Sequence, residues 1–171
     1  MKKLLLVTAA AAALAACGSK DKNVSTASDD MVENTTPSDS VADNDVDLVE
    51  LPGAQADLIA AAGSDTIYFV TDQYNLESDA RATLAAQARW MLANPNVNAS
   101  IEGHADERGT REYNLALGER RANAAREYLV SQGVPNNRLT TVSWGKERPV
   151  ALGSDENAWA QNRRSVTVVV R

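Results

Sequence analysis

The stretch Ile101–Ala125, IEGHADERGTREYNLALGERRANAA, constrains the fold more than any other part of the chain. It begins as a strand, breaks at Gly103, crosses a charged turn that ends in Gly109, and continues as a long helix. Tyr113, Leu117, Ala124, Ala125 and Tyr128 form the apolar stripe of that helix, and Arg121 lies inside the stripe, one turn beyond Leu117. A buried guanidinium without a partner costs on the order of several kcal/mol, so the fold must bring an anion to it. Two readings are open at this point: a structural pair with a carboxylate of a neighbouring loop, or a ligand carboxylate bound bidentately. Arg120, Glu112, Glu119, Arg126 and Glu127 belong to the solvated face.

Taken in order, the chain opens with a positive Met1-Lys2-Lys3 and an apolar run from Leu4 to Ala16, too short to span a bilayer as a helix. Residues 1–16 therefore read as an export signal. Leu14-Ala15-Ala16-Cys17 resembles the lipobox of bacterial lipoproteins, which implies acylation at Cys17; with two or more acyl chains anchoring is stable. Cys17 is the only cysteine, so no intrachain disulfide and no cysteine-based metal or nucleophilic site is available. Lys20 to Glu50 carries nine acidic residues against two lysines, whereas Leu51 to Arg171 is nearly balanced, with fourteen acidic and thirteen basic residues. The segment 17–52 lacks periodicity and aromatics and is expected to be a flexible acidic tether. Fully stretched, it would reach roughly 120 Å.

Residues 53–171 are expected to form the folded domain. A helical turn over Leu58–Ala62 ends at Gly63, and Thr66–Val70 reads as a buried strand. Asn75 is placed to cap a helix with Ala80, Leu84, Ala88 and Met91 on its apolar face, ended by Asn94-Pro95. A strand from about Ala99 to His104 and a helix from about Arg111 to Gln132 follow, with Gly133 as C-terminal cap. Leu139–Trp144 is a third strand, Gly145–Ala160 is mostly loop, and Ser165–Arg171 is a closing strand. The order β-α-β-α-β-β implies an α/β (α+β) fold: a mixed sheet with helices on one face and a final hairpin-like return.

Asp72 and Asp106 each fall just past a strand that is followed by a helix, which brings both carboxylates to one edge of the sheet, where ligands bind. Each alone is also a common turn or N-cap residue. His104 is the only histidine. With Glu102, Asp106 and Glu107 it offers one nitrogen donor and no sulfur, a poor metal set, and no cofactor motif is present. A carboxylate pair for glycan hydrolysis is formally available in Asp72 and Asp106, but no nucleophile elbow accompanies it. No basic face of the size nucleic acid requires is visible. The Trp144–Pro149 and Asn157–Arg164 segments read as loops, with Arg163 or Arg164 as a charge partner within the domain or as part of a protein-docking surface.

The blocks IEGHADERGTREYNLALGERRANA and SWGKERPVALGSDENAWAQNRRSVTV resemble the outer-membrane-protein-A-like domain family, and within it the peptidoglycan-associated lipoproteins of the Tol-Pal system of Gram-negative bacteria. The resemblance covers about Thr66 to Arg171. It implies a lipid anchor in the outer membrane, a domain facing the periplasm, non-covalent binding of the meso-diaminopimelate of the peptidoglycan stem peptide, no catalysis, no cofactor, and TolB as a protein partner. Matched block by block, it implies that Asp106 and Arg121 hold the ammonium and carboxylate of that amino acid, with Arg108, Leu117, Thr71 and Asp72 as further contacts. Gly18, following Cys17, fits the family's sorting rule for the outer membrane. The chain departs from the usual pattern at Thr71, where many relatives carry an aromatic, and at Ala105, where a Thr is usual.

Overall fold

The computed structural model describes residues 52–171. The expected leader, Cys17 and all but the last residue of the expected tether lie outside the described residues. Pro52 opens helix α1 (Pro52–Ala62), which is longer than the turn expected at Leu58–Ala62. Then come β1 (Thr66–Tyr68), α2 (Ser78–Ala93), β2 (Asn98–His104), α3 (Arg111–Ser131), a 3-10 turn at Asn136–Arg138, β3 (Leu139–Gly145), α4 (Glu156–Asn162) and β4 (Arg164–Val170).

The helices follow the periodicity of their apolar residues. Ala80, Leu84, Ala88 and Met91 of α2 are all buried, joined by Gln87, and the Asn94 amide closes the helix on the Trp90 and Met91 carbonyls. The expected cap at Asn75 is not used: α2 starts three residues later, and Glu77 at the capping position makes no side-chain cap bond. Asn75 donates instead to the Gln73 side chain at 3.4 Å. The Gln73 and Leu76 carbonyls are taken by Arg121 and Arg81, which holds residues 73–76 outside the helix. In α3 the Thr110 hydroxyl accepts from the Tyr113 amide, and Gly133, at φ 99°, takes the left-handed conformation just past the helix end.

The sheet order is β1-β4-β2-β3, with β2 and β3 parallel and β4 antiparallel to both β1 and β2. The expected hairpin-like return of the last strand beside β3 does not occur; β4 is inserted in the centre. Its residues explain this, since none of Arg164–Val170 is exposed, whereas β3 includes the exposed Thr140. A strand so fully covered needs backbone partners on both sides. Beyond the short β1, Gln55 of α1 supplies them: its Oε1 accepts from the Val169 amide at 2.7 Å and its Nε2 donates to the Thr167 carbonyl at 3.0 Å. The core between α2, α3 and the sheet contains Ile67, Phe69, Leu84, Met91, Ile101, Ala122, Leu129 and Leu139.

Helix α3 lies close on β2 because both lack a side chain where they cross. A Cβ on Gly103 would overlap the Gly118 carbonyl, and one on Gly118 would overlap the Ser143 hydroxyl, which itself donates to the Leu115 carbonyl at 2.6 Å. Overpacking of this kind costs about 1–3 kcal/mol. Gly103→Ala is expected at the upper end of that range, read as a lowered midpoint in thermal unfolding, because backbone rather than a flexible side chain must give way.

Candidate functional site

Arg121 is 0% exposed, and its partners are not carboxylates. Nε donates to the Gln73 carbonyl at 2.9 Å, Nη1 to the His104 carbonyl at 2.7 Å and Nη2 to the Val70 carbonyl at 3.2 Å, with the guanidinium 5.1 Å from the Phe69 ring centre. The structural alternative thus takes a different form from the expected ion pair: one cation is held by three carbonyl dipoles. Burial lowers its pKa to about 10, against the supporting charges of Asp106 and Asp72, so it remains protonated at neutral pH. The three bonds join the turn after β1 to the end of β2. In that turn the Gln73 amide closes on the Val70 carbonyl at 3.1 Å, and Asp72 adopts φ 56°, a left-handed conformation that non-glycine residues adopt at a cost of about 1–2 kcal/mol.

The end of β2 is fixed by the Ala105 amide, which donates to the Gly145 carbonyl at 2.8 Å. Asp106 follows, 7% exposed. Its Oδ1 accepts from the Arg108 amide and from Arg108 Nε, both at 3.1 Å, and its Oδ2 from Arg108 Nη2 at 2.7 Å. Arg163 Nη1 stands 3.6 Å from the same Oδ2. Burial pushes the Asp106 carboxyl up, but the Arg108 hydrogen bonds and the charges of Arg108 and Arg163 outweigh it, and the net shift is below the ordinary carboxylate value. Arg108 also reaches the Thr71 hydroxyl at 3.4 Å and stacks over the Trp159 ring at 4.2 Å. Arg163 is anchored by the Phe69 carbonyl at 3.1 Å and Glu156 at 2.6 Å. Tyr113 donates its hydroxyl to Asp72 at 3.3 Å.

These groups frame an open cavity of about 290 Å³ lined by Thr71, Asp72, Arg108, Gly109 and Tyr113. Of the residues singled out in the sequence, Thr71, Asp72 and Arg108 line it and Asp106 lies directly behind Arg108. Leu117, 3% exposed, and Arg121 are buried and do not line it. Tyr113 was expected on the apolar stripe but is 45% exposed; the buried face of α3 instead runs through Asn114, Leu117, Gly118, Arg121, Ala122, Ala125 and Leu129. Arg163 fulfils the expected role of internal charge partner. Trp159 and Glu156 were missed as site residues. A signal existed for Trp159 alone, since it lies four residues before Arg163, the residue that caps α4, a spacing that puts both on one side of a helix. Among the described residues no group of three or more His, Cys, Asp or Glu side chains could hold a metal ion.

Comparison with known proteins follows the same lines. The OmpA family model matches residues 68–163. A curated peptidoglycan-associated lipoprotein of Pasteurella multocida is 37% identical over 97% of this chain and 96% of its own. The chain belongs to the OmpA family, in the branch of the peptidoglycan-associated lipoproteins. The Rhizobium meliloti protein of that name is 58% identical over 69% of this chain, a match that spans 66% of that relative's length. Among solved structures, the peptidoglycan-associated lipoprotein from Burkholderia pseudomallei superposes with a TM-score of 0.61 at 45% identity, covering 63% of this chain and 91% of that one. The C-terminal domain of Helicobacter pylori MotB shares the fold at 19% identity, with a TM-score of 0.58.

Replacing Arg121 by Met removes the guanidinium from the buried His104 carbonyl and the partly buried Gln73 and Val70 carbonyls, of which Val70 keeps another donor, the Gln73 amide, and the loss is expected to be about 3 kcal/mol, read from the midpoint of urea unfolding. Arg121→Lys should recover less than half of it, because one ammonium on a flexible stem cannot reproduce a fork that spans three carbonyls.

Proposed function

We propose that this chain is a lipid-anchored outer-membrane protein that grips peptidoglycan through the meso-diaminopimelate of the stem peptide and performs no chemical step. The observation that carries the reading is Asp106, a nearly buried carboxylate kept ionised behind an exposed arginine at the floor of an open cavity. A free amino-acid end presents an ammonium and a carboxylate at fixed separation. The ammonium replaces Arg108 on Asp106, and the released Arg108 turns to the ligand carboxylate, with Thr71, Asp72 and Tyr113 at the cavity wall. Arg121, with two of its five N–H groups outside the three carbonyl bonds, is the second cation of the clamp. Because Arg121 is 0% exposed, direct contact with it requires the turn that carries Val70 and Gln73 to move aside. Leu117 supports the same face of α3 from within.

The names of the relatives support this reading, as does the chemistry of Asp106. A general acid for glycan hydrolysis needs a raised pKa, and the two arginines push the Asp106 carboxyl the other way. In the full reading, acyl chains on Cys17 hold the outer membrane from its periplasmic side, residues 18–51 form the tether, and the domain holds the wall. TolB is the protein partner by resemblance to the Tol-Pal lipoproteins, and co-precipitation of TolB with the full-length chain separates that role from wall binding outside the Tol-Pal system.

Titration of the full-length chain with a diaminopimelate-containing muropeptide tests the site. Asp106→Asn is expected to weaken binding by a factor of about 100, since a charge-assisted pair in a largely desolvated position is lost. Arg108→Ala should weaken it by a smaller factor, about 10. Equal affinity in all three proteins would end the clamp reading, and a product in the mixture would revive the enzyme.

A further inference from the structure

The sheet face turned away from α2 and α3 holds a cluster that the wall site does not use. His104 is 2% exposed there, and neither Nδ1 nor Nε2 has a hydrogen-bond partner. The nearest acceptor, Glu102 Oε2 on the same strand, is 3.5 Å from Nε2, too long for a good hydrogen bond. The other charged groups around the ring are cationic. Arg164 of β4, next to the Ser165 that pairs with Gly103, donates to the Arg148 carbonyl at 3.2 Å, and Arg148, from the loop after β3, stacks on Trp144 at 3.3 Å. Tyr68 of β1 stands opposite Arg164 in the ladder. One carboxylate therefore serves two arginines, and the imidazole sits beside them.

The backbone of the same residue belongs to the wall site. The His104 carbonyl takes the 2.7 Å bond from Arg121, and Asp106 is two residues on. A displacement of the His104 ring thus acts on the strand end from which both members of the clamp are held. We propose, resting on the wall-binding reading above, that His104 is a positioning residue for that site and that charging its ring in mild acid weakens wall binding.

The sign is as follows. Burial lowers the His104 pKa; the nearby Glu102 carboxylate opposes this, Arg164 and Arg148 add to the lowering, and the net shift is downward from about 6.5. The stabilisation supplied by the neutral ring is complete above the ordinary histidine value and is lost as pH falls below it toward the folded-state value. The clamp itself does not titrate in this window, because the Asp106 carboxyl is held low.

The chain contains a single histidine, so the imidazole of the full-length protein in detergent gives one resonance to follow. The muropeptide is titrated from pH 7.5 to 5 against the unmutated chain, His104→Asn and Glu102→Gln, with circular dichroism recording the fold at each pH. The expected result is an affinity about tenfold lower at pH 5 than at pH 7.5, with a midpoint that coincides with the imidazole titration and moves lower when muropeptide is bound. His104→Asn should give a flat profile. Glu102→Gln, which removes the one favourable charge, should move the midpoint to lower pH and keeps the test open if His104→Asn does not fold. A flat profile in the unmutated chain, or an unchanged profile in a folded His104→Asn, overturns the proposal. Absence of binding already at pH 7.5 is a different result: it defeats the wall reading itself, and this inference with it.

Discussion

The site depends on the enclosure of one guanidinium. Arg121 occupies a core position of α3 where an aliphatic side chain would pack without electrostatic penalty, and the fold offsets its desolvation with carbonyls from the turn after β1 and from the end of β2. Breaking such an arrangement by removing one side is expensive even where the complete arrangement is close to neutral against a hydrophobic replacement. Its value is therefore geometric. Three bonds in fixed directions from one planar group set where the β1 turn ends, where β2 ends, and how far apart they stand. The strained Asp72 persists because the flanking carbonyls at Val70 and Gln73 are held by Arg121 and by the turn's own hydrogen bond.

A second layer of charge rests on that frame. Asp106 is surrounded by cations of unequal freedom: Arg163 is buried and tied to Phe69 and Glu156, while Arg108 is exposed and held chiefly by the carboxylate and the Trp159 face. Exposed ion pairs contribute little to stability and exchange readily, whereas a buried cation stays. Asp106 can thus remain ionised whether or not Arg108 is bound to it. In the proposed clamp, where the ligand ammonium takes the place of Arg108, this division between a fixed and a movable partner is what the exchange requires.

The parts legible in the sequence were those that local periodicity decides. The α2 face of Ala80, Leu84, Ala88 and Met91, the α3 span, the Gly133 stop and the anomaly at Arg121 all follow from spacing within one segment. What was illegible involved partners distant along the chain. Arg121 finds carbonyls rather than carboxylates because the β1 turn folds back over α3, and no side-chain pattern records where a backbone carbonyl will point. Tyr113 reads as apolar by composition, yet its hydroxyl meets Asp72, 41 residues earlier. Trp159 meets Glu107 across 52 residues, and Asn75 loses its capping role to a turn held by residues of another helix. Strand order failed for a related reason: alternation tells which face of a strand is buried, not which neighbours it has.

The expectation that Asp72 and Asp106 share a sheet edge was nevertheless correct, and the route to it differs from the one assumed. Successive βα units suggest neighbouring parallel strands. In the fold β1 and β2 are not paired, since β4 lies between them and runs antiparallel to both. Two strands antiparallel to a common third are parallel to each other, so their carboxyl ends still emerge on the same side. The spacing is wider by one strand, and the gap at that edge is filled by Arg163, which immediately precedes β4. That residue reaches Phe69 behind the first loop and Asp106 on the second. The inserted strand is therefore what gives the site its second, fixed cation: a sheet with β1 beside β2 would bring the same two loops together but leave Asp106 with Arg108 alone.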